Sequence, residues 1–214
     1  MDRWKQYVER WKRDYDFKTL VAAFGSLAVT VLFGLYNGVI GLIYSSAWHG
    51  SICAYYLMLI ALRGLIVAAE EKDRDDLRRR VYRVASVLLL ILNLALIAPI
   101  AIMVRQEKPV SMTLIPAIAM AAYTTYKIIM ASVNQRRKSR TENKLIRLLR
   151  SISFIDALVS ILTLQNTLIM VNSKDGGSSM IPLTSVTSGA IWLLTVAVSA
   201  VNFARCFRKG DQGG

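Results

Sequence analysis

The chain has 214 residues, 54% of them hydrophobic, a mean hydropathy of +0.41 and a formal charge of +13. That is too apolar for a soluble domain with a charged rind, and the length suggests a single domain. The positive charge is not laid out as a basic stripe interleaved with aromatics, which argues against a nucleic-acid surface.

In residues 1–17, Trp4, Val8, Trp11 and Tyr15 recur at helical spacing among Lys and Arg. The pattern predicts an amphipathic helix lying in a membrane interface. Residues 19–69 form an apolar region too long for one span, which needs about 20 residues. A hairpin near Ser45–Gly50 is therefore expected to divide it into spans at about 19–44 and 47–69. Four further spans follow, at about 84–104, 112–133, 148–171 and 181–205. Short links carrying Pro109 and Gly176-Gly177 read as turns. The expectation is an all-α polytopic membrane protein with six transmembrane helices over 18–207 and a cytosolic tail at 208–214. In span one, Gly34-x-x-x-Gly38 and Gly41 strip one flank of bulk for close helix packing. Pro99 and Pro116 are expected to kink spans three and four.

The basic residues are distributed unevenly around these spans. Six precede the first span, six lie between spans two and three, seven between four and five, and three follow the sixth. Only Arg105, Lys108 and Lys174 fall on the opposite side. This bias predicts cytosolic termini and a plasma-membrane location. The predicted partners are the lipid bilayer and anionic headgroups on the cytosolic side, with no nucleic acid.

Polar residues at bilayer depth need partners, a wet cavity or a route to the surface. Arg63 and Lys127 lie about two turns from the cytosolic ends of their helices, where long side chains can snorkel. Asp156 is too short to do so. It begins a stripe on span five with Ser160, Thr163 and Thr167; Gln165 and Asn166 follow nearby. The stripe lines either a solute path or a contact between helices. Asn37, Asn93 and Asn202 suit hydrogen bonds between helices. His49, beside Trp48 in the hairpin, reads as a solvated interfacial histidine. A weak repeat of 67 positions relates Ile102-Met103-Val104 to Ile169-Met170-Val171, and Tyr56 to Tyr123.

No hydrolase triad, zinc-protease motif or phosphate-binding loop is present. Cys53 and Cys206 form no metal-type pair, and a single histidine leaves little for zinc. The expectation is a protein without enzymatic activity, cofactor or confident metal site.

The order of residues resembles the membrane domain of the cation diffusion facilitator family. The likeness is carried by Gly34, Ser45-Ser46-Ala47 and Ala61-Leu62-Arg63, then Arg79-Arg80, then Ser132-Val133-Asn134-Gln135-Arg136-Arg137 ahead of Asp156. It implies a six-helix bundle with cytosolic termini, divalent-cation/proton exchange and a homodimer. The family's four metal-binding positions fall on Ala47, Ser51, Ile152 and Asp156, of which only Asp156 keeps a ligand. Two functions are expected from this. One is a secondary transporter for a cation or small polar solute, its path formed by Asp156, Ser51, Ser160, Thr163, Gln165 and Asn37. The other is a non-transporting structural or regulatory membrane protein that keeps the fold without the metal site. The likeness sets Asp156 level with Ser51. A plain hydropathy count sets it level with Arg63 and Lys127, as ion-pair partners.

Overall fold

A computed structural model describes residues 15–72, 74–105, 114–136, 143–172 and 181–208. The expected interfacial helix at 1–17 lies outside the described residues except for its last three. So do the turns around Pro109 and Gly176 and the tail beyond Arg208.

The described regular structure is all helical: α1 (Tyr15–Ile43), α2 (Ala47–Glu71), α3 (Asp75–Ala95), α4 (Ile97–Arg105), α5 (Leu114–Arg136), α6 (Lys144–Asn172) and α7 (Ile181–Arg208). α1 packs chiefly on α2, α5 on α6 and α3 on α7. α6 also touches α1, α2, α3 and α7, so it is the central helix. This accounts for the burial of Ile155, Asp156 and Ala157 in succession, which point to different sides of one turn.

The first hairpin is tighter than its expected span of Ser45–Gly50. Only three residues, Tyr44 to Ser46, separate α1 from α2. Ser45 takes a left-handed conformation with φ 48°, and the Ser46 N–H donates to Gly41 O at 3.1 Å. That is the Schellman closure of a helix C-terminus, built here on serine rather than glycine. The turn is so short that Trp48 and His49 already belong to α2. They are 1% and 4% exposed, so the expected solvated histidine is instead a buried one.

α3 begins at Asp75 rather than near Val84. Asp75 and Asp76 sit in its first turn, where the positive end of the helix dipole favours them. Arg78 reaches back to Glu70 of α2, donating to its Oε1 at 3.1 Å and its main-chain O at 3.2 Å. Asn143 donates to the same Oε1 at 2.6 Å, and its own Oδ1 caps α6 at the Leu145 N–H. One carboxylate thus gathers the end of α2 and the starts of α3 and α6.

Pro99 has no N–H for the carbonyl of Ala95 and crowds it. The helix accordingly breaks at Leu96, dividing the third apolar stretch into α3 and α4. Pro116 makes no such break, because it lies in the first turn of α5, where proline is tolerated. Near the Pro99 break, Asn93 forms a hub. Tyr55 Oη donates to its Oδ1 at 3.3 Å, its Nδ2 donates to Ser199 Oγ at 3.0 Å, and Trp192 Nε1 donates to its main-chain O at 3.0 Å. Replacing Asn93 with Leu removes the two side-chain links between helices. With each such bond worth about 0.6 kcal/mol in a membrane setting, a loss of roughly 1 kcal/mol is expected. Thermal unfolding in mild detergent measures it, and Trp192→Phe should show a smaller loss.

Polar side chains share the interior with an apolar core, and large apolar side chains cover much of the outside. Thr30, Asn37, Ser86, Asn93, Ser188 and Thr195 are buried, while Leu32, Leu42, Ile43, Val186 and Leu193 are 61–83% exposed. A surface so rich in exposed large apolar side chains is unfavourable in water. Three described stretches are long and apolar enough to cross a membrane: Ala47–Glu71, Asp75–Ile102 and Thr184–Phe207. Leu27–Ile43 and Ile118–Val133 are shorter apolar helices.

Candidate functional site

On α1, Thr30, Phe33, Gly34 and Asn37 fall at i, i+3, i+4 and i+7 and make one buried face. Thr30 brings its hydroxyl to the centre of the bundle. There it meets Arg63 of α2, Lys127 of α5 and Asp156 of α6. Arg63 Nη2 donates to Asp156 Oδ2 at 2.7 Å, and the Lys127 ammonium pairs with the same oxygen. Thr30 Oγ1 donates to that oxygen at 3.2 Å. The hydroxyl also accepts from Arg63 Nη1 at 3.1 Å and from Lys127 Nζ at 3.2 Å. The four side chains are sealed: Asp156 and Thr30 are 0% exposed, Arg63 1% and Lys127 5%.

A buried charge is tolerated only when paired and hydrogen-bonded. This cluster meets that condition for one carboxylate oxygen and exceeds it in cations. Two positive groups face one negative group, a formal sum of +1. Part of the excess is met by aromatic faces. Lys127 Nζ lies 4.8 Å from the centre of the Tyr123 ring and 5.6 Å from that of Tyr56. Phe33 stacks on Tyr123 at 4.7 Å and meets Tyr56 edge-on at 5.0 Å, closing the aromatic wall. Asp156 Oδ1 and the hydroxyls of Tyr56 and Tyr123 have no hydrogen-bond partner among the described residues.

Asp156 therefore lies level with Arg63 and Lys127, and the level expected from the family likeness does not hold. Ser51 is 12 residues from Arg63 on α2, about 18 Å along the axis. Its hydroxyl donates to Ala47 O of its own helix at 2.7 Å. Nor do Arg63 and Lys127 snorkel, since both turn inward.

The other expected path residues are dispersed. Ser160 donates to Asp156 O at 2.8 Å and Thr163 to Ser160 O at 2.8 Å, so both hydroxyls bond the backbone of α6. Gln165 Nε2 donates to Thr187 Oγ1 of α7 at 2.7 Å. Asn37 donates to Phe33 O, and its Oδ1 lies 3.1 Å from His49 Nδ1, an arrangement in which the imidazole N–H donates. These contacts join helices or quiet hydroxyls; none of them reaches the Asp156 carboxylate.

Thr30 and the ring wall were not anticipated as parts of the site. The equal spacing of Tyr56 and Tyr123 was visible, but nothing in it named Lys127 as their common neighbour. Among the described residues, no group of three or more His, Cys, Asp or Glu side chains could hold a metal ion. No family model, curated protein or solved structure matches the chain.

Proposed function

We propose that this chain is an integral membrane protein of six spans, with both termini cytosolic, in a plasma membrane. In this reading it is a structural or regulatory component rather than a carrier. The observation that carries it is the sealed Asp156 cluster. One carboxylate oxygen takes a guanidinium, an ammonium and a hydroxyl from three other helices, which ties α1, α2, α5 and α6. The polar stripe of α6 supports the same reading, because its hydroxyls are spent on its own backbone. The six-span count draws on the apolar pattern of the sequence, and the orientation draws on the basic bias.

A second reading is favoured by a specific feature. Asp156 Oδ1 has no hydrogen-bond partner among the described residues, and a carboxylate oxygen with lone pairs to spare can receive a proton or cation. This is the cation/proton-coupled carrier that the family likeness implies. The loss of three of four ligand positions, to Ala47, Ser51 and Ile152, weighs against divalent-metal transport. The family's homodimer is retained as part of this second reading.

Reconstitution into liposomes decides between them. With an imposed pH gradient and a panel of monovalent and divalent cations, the structural reading expects no flux above empty liposomes. Flux by the wild type that disappears in Asp156→Asn would replace it with the carrier.

A further inference from the structure

We infer that the hairpin end of α2 holds a site for one soft monovalent metal ion, Cu(I), bound between Nε2 of His49 and Sγ of Cys53. The inference goes beyond the structural reading and does not depend on it.

His49 and Cys53 stand at i and i+4 on α2. Side chains so spaced have Cβ atoms about 5–6 Å apart on one helix face. It is the spacing at which paired helix side chains close on a single metal ion. Both side chains meet α1, and their contacts there fall on consecutive residues. His49 Nδ1 lies 3.1 Å from Asn37 Oδ1. The Cys53 sulfur lies 3.0 Å from the place a Cβ would take on Gly38.

The same contacts fix the tautomer of His49. The Asn37 amide nitrogen is committed to Phe33 O at 2.9 Å, so its oxygen faces the ring and Nδ1 carries the proton. Nε2 is then a bare lone pair. His49 is 4% exposed, and its Nε2 has no hydrogen-bond partner among the described residues. An imidazole held through one N–H by an oxygen acceptor, with the other nitrogen open, is the form in which histidine binds a metal. Ser46, three residues before His49, lies on the same stripe. Its buried hydroxyl also has no partner among the described residues and can donate to a metal-bound sulfur.

Ligand count and charge select the ion. Among the described residues no third His, Cys, Asp or Glu joins the pair, whereas zinc takes about four ligands. Two ligands suffice for Cu(I), and soft sulfur favours it. On binding, the Cys53 S–H bond breaks and its proton leaves to solvent. An S–Cu bond forms, Nε2 donates its lone pair, and nothing is oxidised or reduced. The thiolate cancels the charge of a monovalent ion, so the bound state is neutral. A divalent ion would leave a net charge in an apolar setting, at high cost.

The test uses the full chain in mild detergent with ascorbate. Cu(I) is supplied from a chelator buffer, excess is removed by desalting, and the retained metal is counted by elemental mass spectrometry. About one copper per chain is expected, with no retention of Zn(II). Copper K-edge absorption should show a sulfur and an imidazole nitrogen. C53S and H49Q should abolish retention, and C206S should leave it unchanged. N37L spares both ligands but releases the ring, and should weaken binding about tenfold. Thermal midpoints measured without copper show whether each variant folds. Cys53 labelling supplies a readout on the native ligands: in C206S, Cu(I) should slow reaction of the remaining thiol with a maleimide. Equal copper retention by the wild type and C53S, loss of retention in C206S, or unchanged maleimide labelling with Cu(I) present would overturn the site. Retention in C53S-sensitive but H49Q- and N37L-insensitive form would overturn the part assigned to His49.

Discussion

Asp156→Asn is expected to destabilise the bundle by about 3–5 kcal/mol, the usual consequence of removing one partner from a buried ion pair. In thermal unfolding this is a fall on the order of 10 °C. The direction follows from charge. The wild-type cluster has a formal sum of +1, and the substitution leaves Arg63 and Lys127 at +2 with only Thr30 between them. Removing a cation works differently. Lys127→Met leaves Arg63 and Asp156 as a neutral pair, at the expense of the ring contacts with Tyr56 and Tyr123. Its effect is expected to be the smaller of the two. The combined variant Asp156→Asn with Arg63→Met and Lys127→Met removes every charge and should regain most of the loss, since neutral packing often matches a buried triad in stability. A combined variant no more stable than Asp156→Asn alone would show that packing, not charge, dominates the site. The cycle also measures coupling between residues in direct contact, where simple additivity is not expected.

How far the sequence foretold this arrangement depends on the residue. Helical class was legible because long apolar stretches of nearly constant character admit few alternatives, and the regular structure among the described residues is all helical. The association of Asp156 with Arg63 and Lys127 was legible from depth alone. Counting about 1.5 Å per residue from the helix ends brings all three to a similar level. The family likeness suggested a different level because it aligned helix order and gave no weight to charge. Three features were hidden. The burial of His49 is invisible to hydropathy, which cannot reveal that Ser45 closes the hairpin in a left-handed conformation. The early start of α3 was obscured by its charged first turns, whose anchor, Glu70, lies on another helix. Thr30 was overlooked because a lone hydroxyl in an apolar helix ordinarily bonds its own backbone, as Ser160 and Thr163 do. Only the meeting of four helices reveals its role.

The second large effect is expected at Gly41. A Cβ there would lie 3.0 Å from Gly50 N and 3.4 Å from Gly50 Cα, both main-chain atoms of α2. Backbone cannot move aside as a side-chain tip can. Gly41→Val should therefore separate α1 from α2 near the hairpin, with a destabilisation of about 1–3 kcal/mol typical of overpacking. The same displacement would strain the Asn37–His49 contact, which lies one turn away on α1. Gly38→Ala should be milder, because its nearest neighbour is the Cys53 Sγ at 3.0 Å, the end of a side chain that can rotate. Gly25→Ala is the control. Among the described residues nothing lies within 4 Å of a Cβ at that position, so the higher helix propensity of alanine should register, a gain of about 0.5–1 kcal/mol. Thermal midpoints in one detergent rank the three. A Gly41→Val variant as stable as Gly25→Ala would mean that α1 and α2 are free to stand apart. In that case the registry that carries Thr30 to the Asp156 cluster would have to be set elsewhere, through the direct contact of α1 with α6.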